Sequence, residues 1–257
     1  MNIKAIDTRG FWKVNKDYKV SRVKVDGAEI IIIDDFLVNP ERVRDFILDA
    51  PAPMWKHKEG GYNFKKYYDC RNSIALHHRE FFEIEGAIRK EAGKAVYFAK
   101  TPNYCRDDVV ITNIFQNIKG NPHDGIPIPH EDGRIQGGLL YLNHDDEVQF
   151  KTGTAFYKSK FNGIANTNKL GKLEKRAVDD FTLNSGIEED GYDYYLHDWK
   201  KFWEPAGFIQ SKFNRLLMWP GDIYHGAYHG SEDFVDYPRV NQCFFLEDDS
   251  KRRYDDY

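Results

Sequence analysis

From Val109 onward the chain breaks into short strand-like runs separated by Gly, Pro, Asn and Asp. The runs are Val109 to Ile118, Gly138 to Asn143, Val148 to Lys158, Phe213 to Trp219, Ile223 to His229 and Arg239 to Glu247. Short runs of β-branched and aromatic residues at this spacing pack as a sandwich or a barrel. With 257 residues, 18 Phe, 16 Tyr and 5 Trp, the chain can bury a large ring-rich core as one unit.

The amino-terminal third reads as support for that core. Val20 to Asp35 forms two strands about a turn at Asp26-Gly27, and the apolar run Ile30 to Ile33 suits a buried strand. Asn39-Pro40-Glu41 offers an N-cap, a proline at the first helical position and an acid in the first turn. Val43, Phe46, Ile47 and Ala50 then share one face. A second helix is expected over His78 to Tyr97, with Phe81, Ile84, Ile88 and Ala95 inward. Residues 1–108 are thus read as supporting strands and helices, 109–247 as the β core and 248–257 as a charged tail. The core carries a polar insertion over 159–212, whose ring-rich stretch Tyr194 to Trp203 falls at helical spacing. The whole is expected to be a single domain, with the insertion recognising substrate.

Composition removes several function classes. A net charge of −4, from 37 basic and 41 acidic residues, provides no global field for nucleic acid. No apolar run is long enough to span a membrane, and the first residues lack a signal core, so a cytoplasmic protein is expected. Cys70, Cys105 and Cys243 are odd in number and far apart, which suits reduced packing residues rather than disulfides or a thiolate metal site. Oligomeric state is not legible.

The residues that carry chemistry are histidines and acids. Mononuclear iron(II) sites that activate oxygen use two imidazoles and one carboxylate on one face of the metal. In a strand, residues i and i+2 point to the same side, so His-x-Asp can supply two of these ligands. With 41 acids, nine histidines give such matches by chance, and four occur. His57-Lys58-Glu59 lies in a charged loop, and His78-Arg79-Glu80 starts a helix where i and i+2 diverge. His144-Asp145-Asp146 occupies a polar turn. His130-Glu131-Asp132 follows the stiff approach Gly125-Ile-Pro-Ile-Pro129 and precedes a strand, which places it at a strand mouth. The third ligand is expected from the strand after Pro220-Gly221-Asp222. His225 is preferred there and His229, four residues on, competes with it. Arg239 opens the next strand, where its planar guanidinium suits a bidentate carboxylate clamp.

In this order the segments resemble the 2-oxoglutarate and iron(II)-dependent oxygenase superfamily over about Val109 to Leu246. Pro129 to Asp132 resembles its His-x-Asp. Gly138-Leu-Leu-Tyr-Leu-Asn143 followed by Gly153-Thr-Ala-Phe156 resembles a prolyl-hydroxylase-like strand pair. Phe213 to Gly226 resembles the strand and turn that deliver the distal histidine, and Arg239 to Phe245 the last strand. Lys151-Thr152 before Gly153 and Gly226-Ala227 after His225 depart from the usual glycine and Ser-Gly. The resemblance implies a mainly β fold with flanking helices, built on a double-stranded β-helix (jelly-roll, cupin-like) core. It also implies iron(II) on His130, Asp132 and His225, 2-oxoglutarate as cosubstrate anchored by Arg239, and O₂. The implied reaction is hydroxylation of an unactivated C–H of a small molecule, such as an amino acid, or of a peptide side chain. Since Asp132 fills the coordination position that related halogenases leave for chloride, halogenation is disfavoured. Tyr141 and Asn143 are read as sharing a face from which one bonds the cosubstrate, and Asn241 and Cys243 share strand parity with Arg239. A cupin-like metal protein with isomerase, hydrolase or purely binding function is the competing class, and Arg239 discriminates against it.

Overall fold

A computed structural model of the chain describes residues 8–51, 55–57, 68–74, 81–98, 110–117, 129–133, 135–148, 152–167, 201–230 and 232–248. His78, Cys105, most of the insertion and the charged tail lie outside the described residues. The strands are β1 (Lys19–Val25), β2 (Ala28–Asp34), β3 (Trp55–His57), β4 (Tyr68–Ile74), β5 (Val96–Phe98), β6 (Val110–Asn117), β7 (Gln136–Tyr141), β8 (Gly153–Ser159), β9 (Trp203–Gln210), β10 (Arg215–Pro220), β11 (His225–Tyr228) and β12 (Arg239–Asp248). Two α-helices accompany them among the described residues, α1 (Pro40–Asp49) and α2 (Phe82–Ala92). The molecule is therefore mainly β, and all its named strand pairs are antiparallel.

A nine-stranded sheet runs β1-β2-β10-β7-β12-β6-β4-β3, with β5 added beside β12. A three-stranded sheet runs β11-β8-β9. Strand parity divides the apolar residues of the large sheet between two cores. Ile31, Ile33, Leu140, Leu216, Met218, Val240 and Phe244 meet Val43, Phe46 and Ile47 of α1 and Ile84 and Ile88 of α2. On the opposite face Ile30, Ile32, Leu139, Tyr141, Leu217 and Trp219 meet Phe156 of β8 and Ile209 of β9. The unbroken Ile30 to Ile33 run needs no polar alternation because β2 is covered on both sides.

Local chemistry explains most boundaries. Asp26 and Gly27 both take positive φ, 48° and 84°, which a two-residue hairpin turn of matching twist demands. Pro40 opens α1 as expected. Asn39 holds the N-cap position, but its side chain makes no capping hydrogen bond. The second helix is shorter than His78 to Tyr97. Gly93, at φ 61°, terminates it in the left-handed conformation, and residues 96–98 leave as β5 to pair with the end of β12. The ring-rich stretch is also corrected at its end. Trp203 begins β9, which lies inside the segment read as an insertion and pairs with β8 along its whole length. Residues 194–200 of that stretch lie outside the described residues. β3 and β4 carried no expected strand either. No helix among the described residues is long and apolar enough to cross a membrane.

Two glycines test this packing with opposite signs. A methyl on Gly153 would overlap the carbonyl oxygen of Ile209 and stand 3.0 Å from Gln210 Cα, so Gly153→Ala must pry β8 from β9. It should cost about 1–3 kcal/mol of stability. Gly86 sits within α2 with nothing inside 4 Å of an added methyl, so Gly86→Ala should raise stability by about 0.4–1 kcal/mol. Urea unfolding of the two variants against the parent protein checks both.

Candidate metal centre

The His130-Glu131-Asp132 stretch and the distant His225 converge where residues 129–132 meet the small sheet. Residues 129–132 approach the beginning of β11, where the His130 and His225 backbones exchange two hydrogen bonds, each 3.0 Å. One residue pair is thus enough to align the two strands of chain, and Asp132 N–H adds a third tie by donating to the Gly221 carbonyl at 2.9 Å. The imidazoles of His130 and His225 lie 4.6 Å apart between ring centres. Asp132 Oδ1 stands 3.9 Å from His130 Nε2 and 3.6 Å from His225 Nε2. One ligand atom from each of the three residues lies within 4.8 Å of the others. Two imidazole nitrogens and a carboxylate oxygen on one side of a shared point form the donor set of a non-haem iron(II) site, and these residues fit such an ion.

The electronic state of the histidine matches that role. Burial pushes His225 down to about 4, only partly opposed by the carboxylate of Asp132, so its ring is neutral at pH 7. Its Nδ1 lies 2.9 Å from the Ile223 carbonyl, which can only accept. The ring proton therefore sits on Nδ1, and the Nε2 lone pair faces Asp132. The His130 side chain is exposed, whereas the side chains of Asp132 and His225 are buried.

A cavity of about 150 Å³ opens from these three residues, and Asn113, Thr154, Trp219, Arg239, Asn241 and Cys243 are among those lining it. Arg239, Asn241 and Cys243 are alternate residues of β12 and share the face opposite Val240, Phe244 and Leu246, as parity predicts. The Asn241 side chain faces Asn113 across β6, accepting from Asn113 Nδ2 at 3.0 Å. Burial raises the Cys243 thiol to about 12 although Arg239 pulls it the other way, so it is no thiolate at neutral pH. Tyr141 is buried in the core between the sheets and its hydroxyl pairs with Thr154 Oγ1 at 2.6 Å. Burial raises it to about 12, again against the pull of Arg239.

Some sequence readings place differently. Asn143 does not share the Tyr141 face. Its amide donates to the Pro238 carbonyl and its oxygen accepts from Val240 N–H, both at 2.8 Å, so it braces the backbone on either side of Arg239. β7 ends at Tyr141, and the alternation that linked the two residues ends with it. His229 stands apart from the group: its ring is buried against Phe115 and Phe234, with Nδ1 3.0 Å from the Gly230 carbonyl. His144 leads a short helical turn, faces Glu41 at 3.2 Å and packs its ring, tilted by 35°, against Phe213. His57 ends β3. Sequence reasoning missed Trp219 and Gly137. The signal for Trp219 was present, since a tryptophan at a strand end beside Pro220-Gly221 must find a partner for its indole N–H if buried.

The displaced titration of His225 has a consequence for the metal-free protein. The folded ring protonates near 4 and the unfolded one near 6.5, so its contribution is intact above pH 6.5 and lost as pH falls towards 4. Urea midpoints measured from pH 7.5 to 4 should decline over that window, and the decline should be shallower in His225→Ala.

A model of a family described as "Family of unknown function (DUF6445)" matches residues 122–239, a span that holds the three converging residues and Arg239. No curated protein sequence matches the chain. Thirteen solved chains do match in structure. One of them is described as "Selenomethionine labeled Fe(II)/(alpha)ketoglutarate-dependent dioxygenase TqaL". It is 10% identical, covers 81% of this chain and 74% of its own, and has a TM-score of 0.37. A likeness of that size assigns neither fold nor reaction to this chain.

Proposed function

We propose that this chain is a non-haem iron(II) and 2-oxoglutarate-dependent oxygenase whose strands form a double-stranded β-helix. The observation that carries the reading is the meeting of His130, Asp132 and His225 in one cavity that is also lined by Arg239. In this reading the two Nε2 atoms and an Asp132 oxygen hold the metal. When bound, iron supplies the oxygen activation that couples conversion of 2-oxoglutarate and O₂ to succinate and CO₂ with insertion of the second oxygen atom into a substrate C–H. Everything else falls to the protein's own groups.

Arg239 binds the far carboxylate of 2-oxoglutarate, and its fork matches both oxygens at once. Asn143 holds the backbone that carries it. Thr154, hydrogen-bonded to Tyr141, lines the cavity, and in this reading Asn241 and Asn113 provide amide groups for hydrogen bonds to the cosubstrate. Leu139 and Phe245 complete the wall with apolar surface that keeps bulk water from the reacting centre. A ring-neutral His225 releases no proton on binding the metal at pH 7. The substrate in this reading is a small molecule, such as an amino acid, or a peptide side chain, and the protein works in the cytoplasm without nucleic acid.

Alanine exchanges at the two His-x-Asp motifs and the two candidate histidines separate the site from its decoys. Asp132→Ala and His225→Ala should nearly abolish iron-dependent succinate formation, while Asp146→Ala and His229→Ala leave it within a few-fold. Equal activities within either pair would overturn the ligand set. Arg239 separates this oxygenase from a plain metal-binding cupin. Arg239→Leu leaves the far carboxylate buried without a partner, which costs about 3–5 kcal/mol. It should weaken 2-oxoglutarate by on the order of a hundredfold or more. Arg239→Lys should fall between, and iron(II) affinity should change little in either. Separate titrations of metal and 2-oxoglutarate decide it, and an unchanged cosubstrate affinity in the Leu variant sinks the 2-oxoglutarate assignment.

A further inference from the structure

The two oxygens of Asp132 are not equivalent. Oδ1 is the one 3.9 Å from His130 Nε2 and 3.6 Å from His225 Nε2. Oδ2 turns to the opposite side and accepts a hydrogen bond from the indole N–H of Trp219 at 3.1 Å. The Asp132 side chain is 4% exposed, so this oxygen has little water to turn to. Trp219 is itself buried, at 5% exposure, and its rings are wedged between His225, 4.6 Å away, and Phe156, 6.3 Å away. It therefore touches two of the three converging residues at once.

The facing strand is shaped for this contact. Gly137 of β7 is the register partner of Trp219 on β10. A methyl built on Gly137 would overlap Asp132 Oδ2 and stand 2.6 Å from Trp219 Nε1 and 2.9 Å from Trp219 Cε2. The neighbouring Gly138 has no such constraint, since its methyl would meet nothing closer than 3.5 Å. The bare backbone at 137 is thus the space in which the carboxylate and the indole meet.

We propose that Trp219 is a positioning residue that holds Asp132 Oδ2 away from the metal, so that the carboxylate binds through Oδ1 alone. The inference rests on the metal-ligand part of the proposed function and not on the identity of the cosubstrate. A carboxylate that binds through one oxygen takes one coordination position and through two takes two. With two imidazoles already placed, single-oxygen binding leaves about three of six positions open and chelation leaves about two. A cosubstrate that binds through two atoms, followed by O₂, needs the larger number. The indole N–H thereby sets how many ligands the metal can accept, although Trp219 does not bind the metal.

Mn(II) alone is the probe, and the count of exchangeable waters on it, from oxygen-17 relaxation, is the readout. The wild-type protein should hold Mn(II) with about three waters. Trp219→Phe keeps a ring against His225 but removes the N–H, and its Mn(II) should carry about one water fewer as Oδ2 joins the metal. Gly137→Ala, which breaks the same contact from the other strand, should move the count in the same direction. About two waters in the wild-type protein would show a chelating carboxylate and overturn the proposal even if neither variant folds. An unchanged count in a folded Trp219→Phe would overturn it too, while Mn(II) binding by the wild-type protein left the ligand set standing. Absence of Mn(II) binding to the wild-type protein would instead remove the metal reading and this inference together.

Discussion

Two backbone hydrogen bonds between His130 and His225 bring residues 95 positions apart in the sequence into one site. Neither bond involves a side chain, so the backbones are aligned without using the imidazoles. Asp132 follows within the same short stretch, tied by its own N–H to the turn that feeds β11. The bridge sits beside the cavity lined by β7 and β12, with the His130 side chain exposed and the side chains of Asp132 and His225 buried.

The large sheet supplies the precision that a single bridge lacks. Its central strands β10, β7 and β12 are covered by helices on one face and by the small sheet on the other, so each position along them is assigned to one core or the other. A one-residue slip in β12 would send Arg239, Asn241 and Cys243 into the helix-side core and Val240 and Phe244 into the cavity. Burial of apolar surface on both sides forbids the slip. The register of the site is thus held by residues that never touch it, and Asn143 adds a local clamp at the strand end where pairing alone is weakest.

The polar groups around the cavity are paired with one another in a pattern that separates scaffold from open chemistry. Tyr141 with Thr154 and Asn113 with Asn241 are hydrogen-bonded pairs. Asp132 is the junction, with one oxygen directed to the imidazoles and the other to Trp219. Buried groups paired in this way orient their neighbours without being free to rearrange.

Much of this was legible in one dimension. The mainly β class, the Asp26-Gly27 hairpin, the inward face of α1, the placing of His130 and Asp132 together at a strand mouth and the shared parity of Arg239, Asn241 and Cys243 follow from turn chemistry, proline stiffness and strand alternation, all local properties. Only the tertiary structure decided that His225 and not His229 faces Asp132, that Asn143 braces β12, that residues 203–210 form a strand, and that Trp219 and Gly137 share one oxygen of Asp132. Each of these depends on which chain segment lies opposite another. Pairing between distant strands is set by the summed burial of two cores, a quantity that no window of sequence contains.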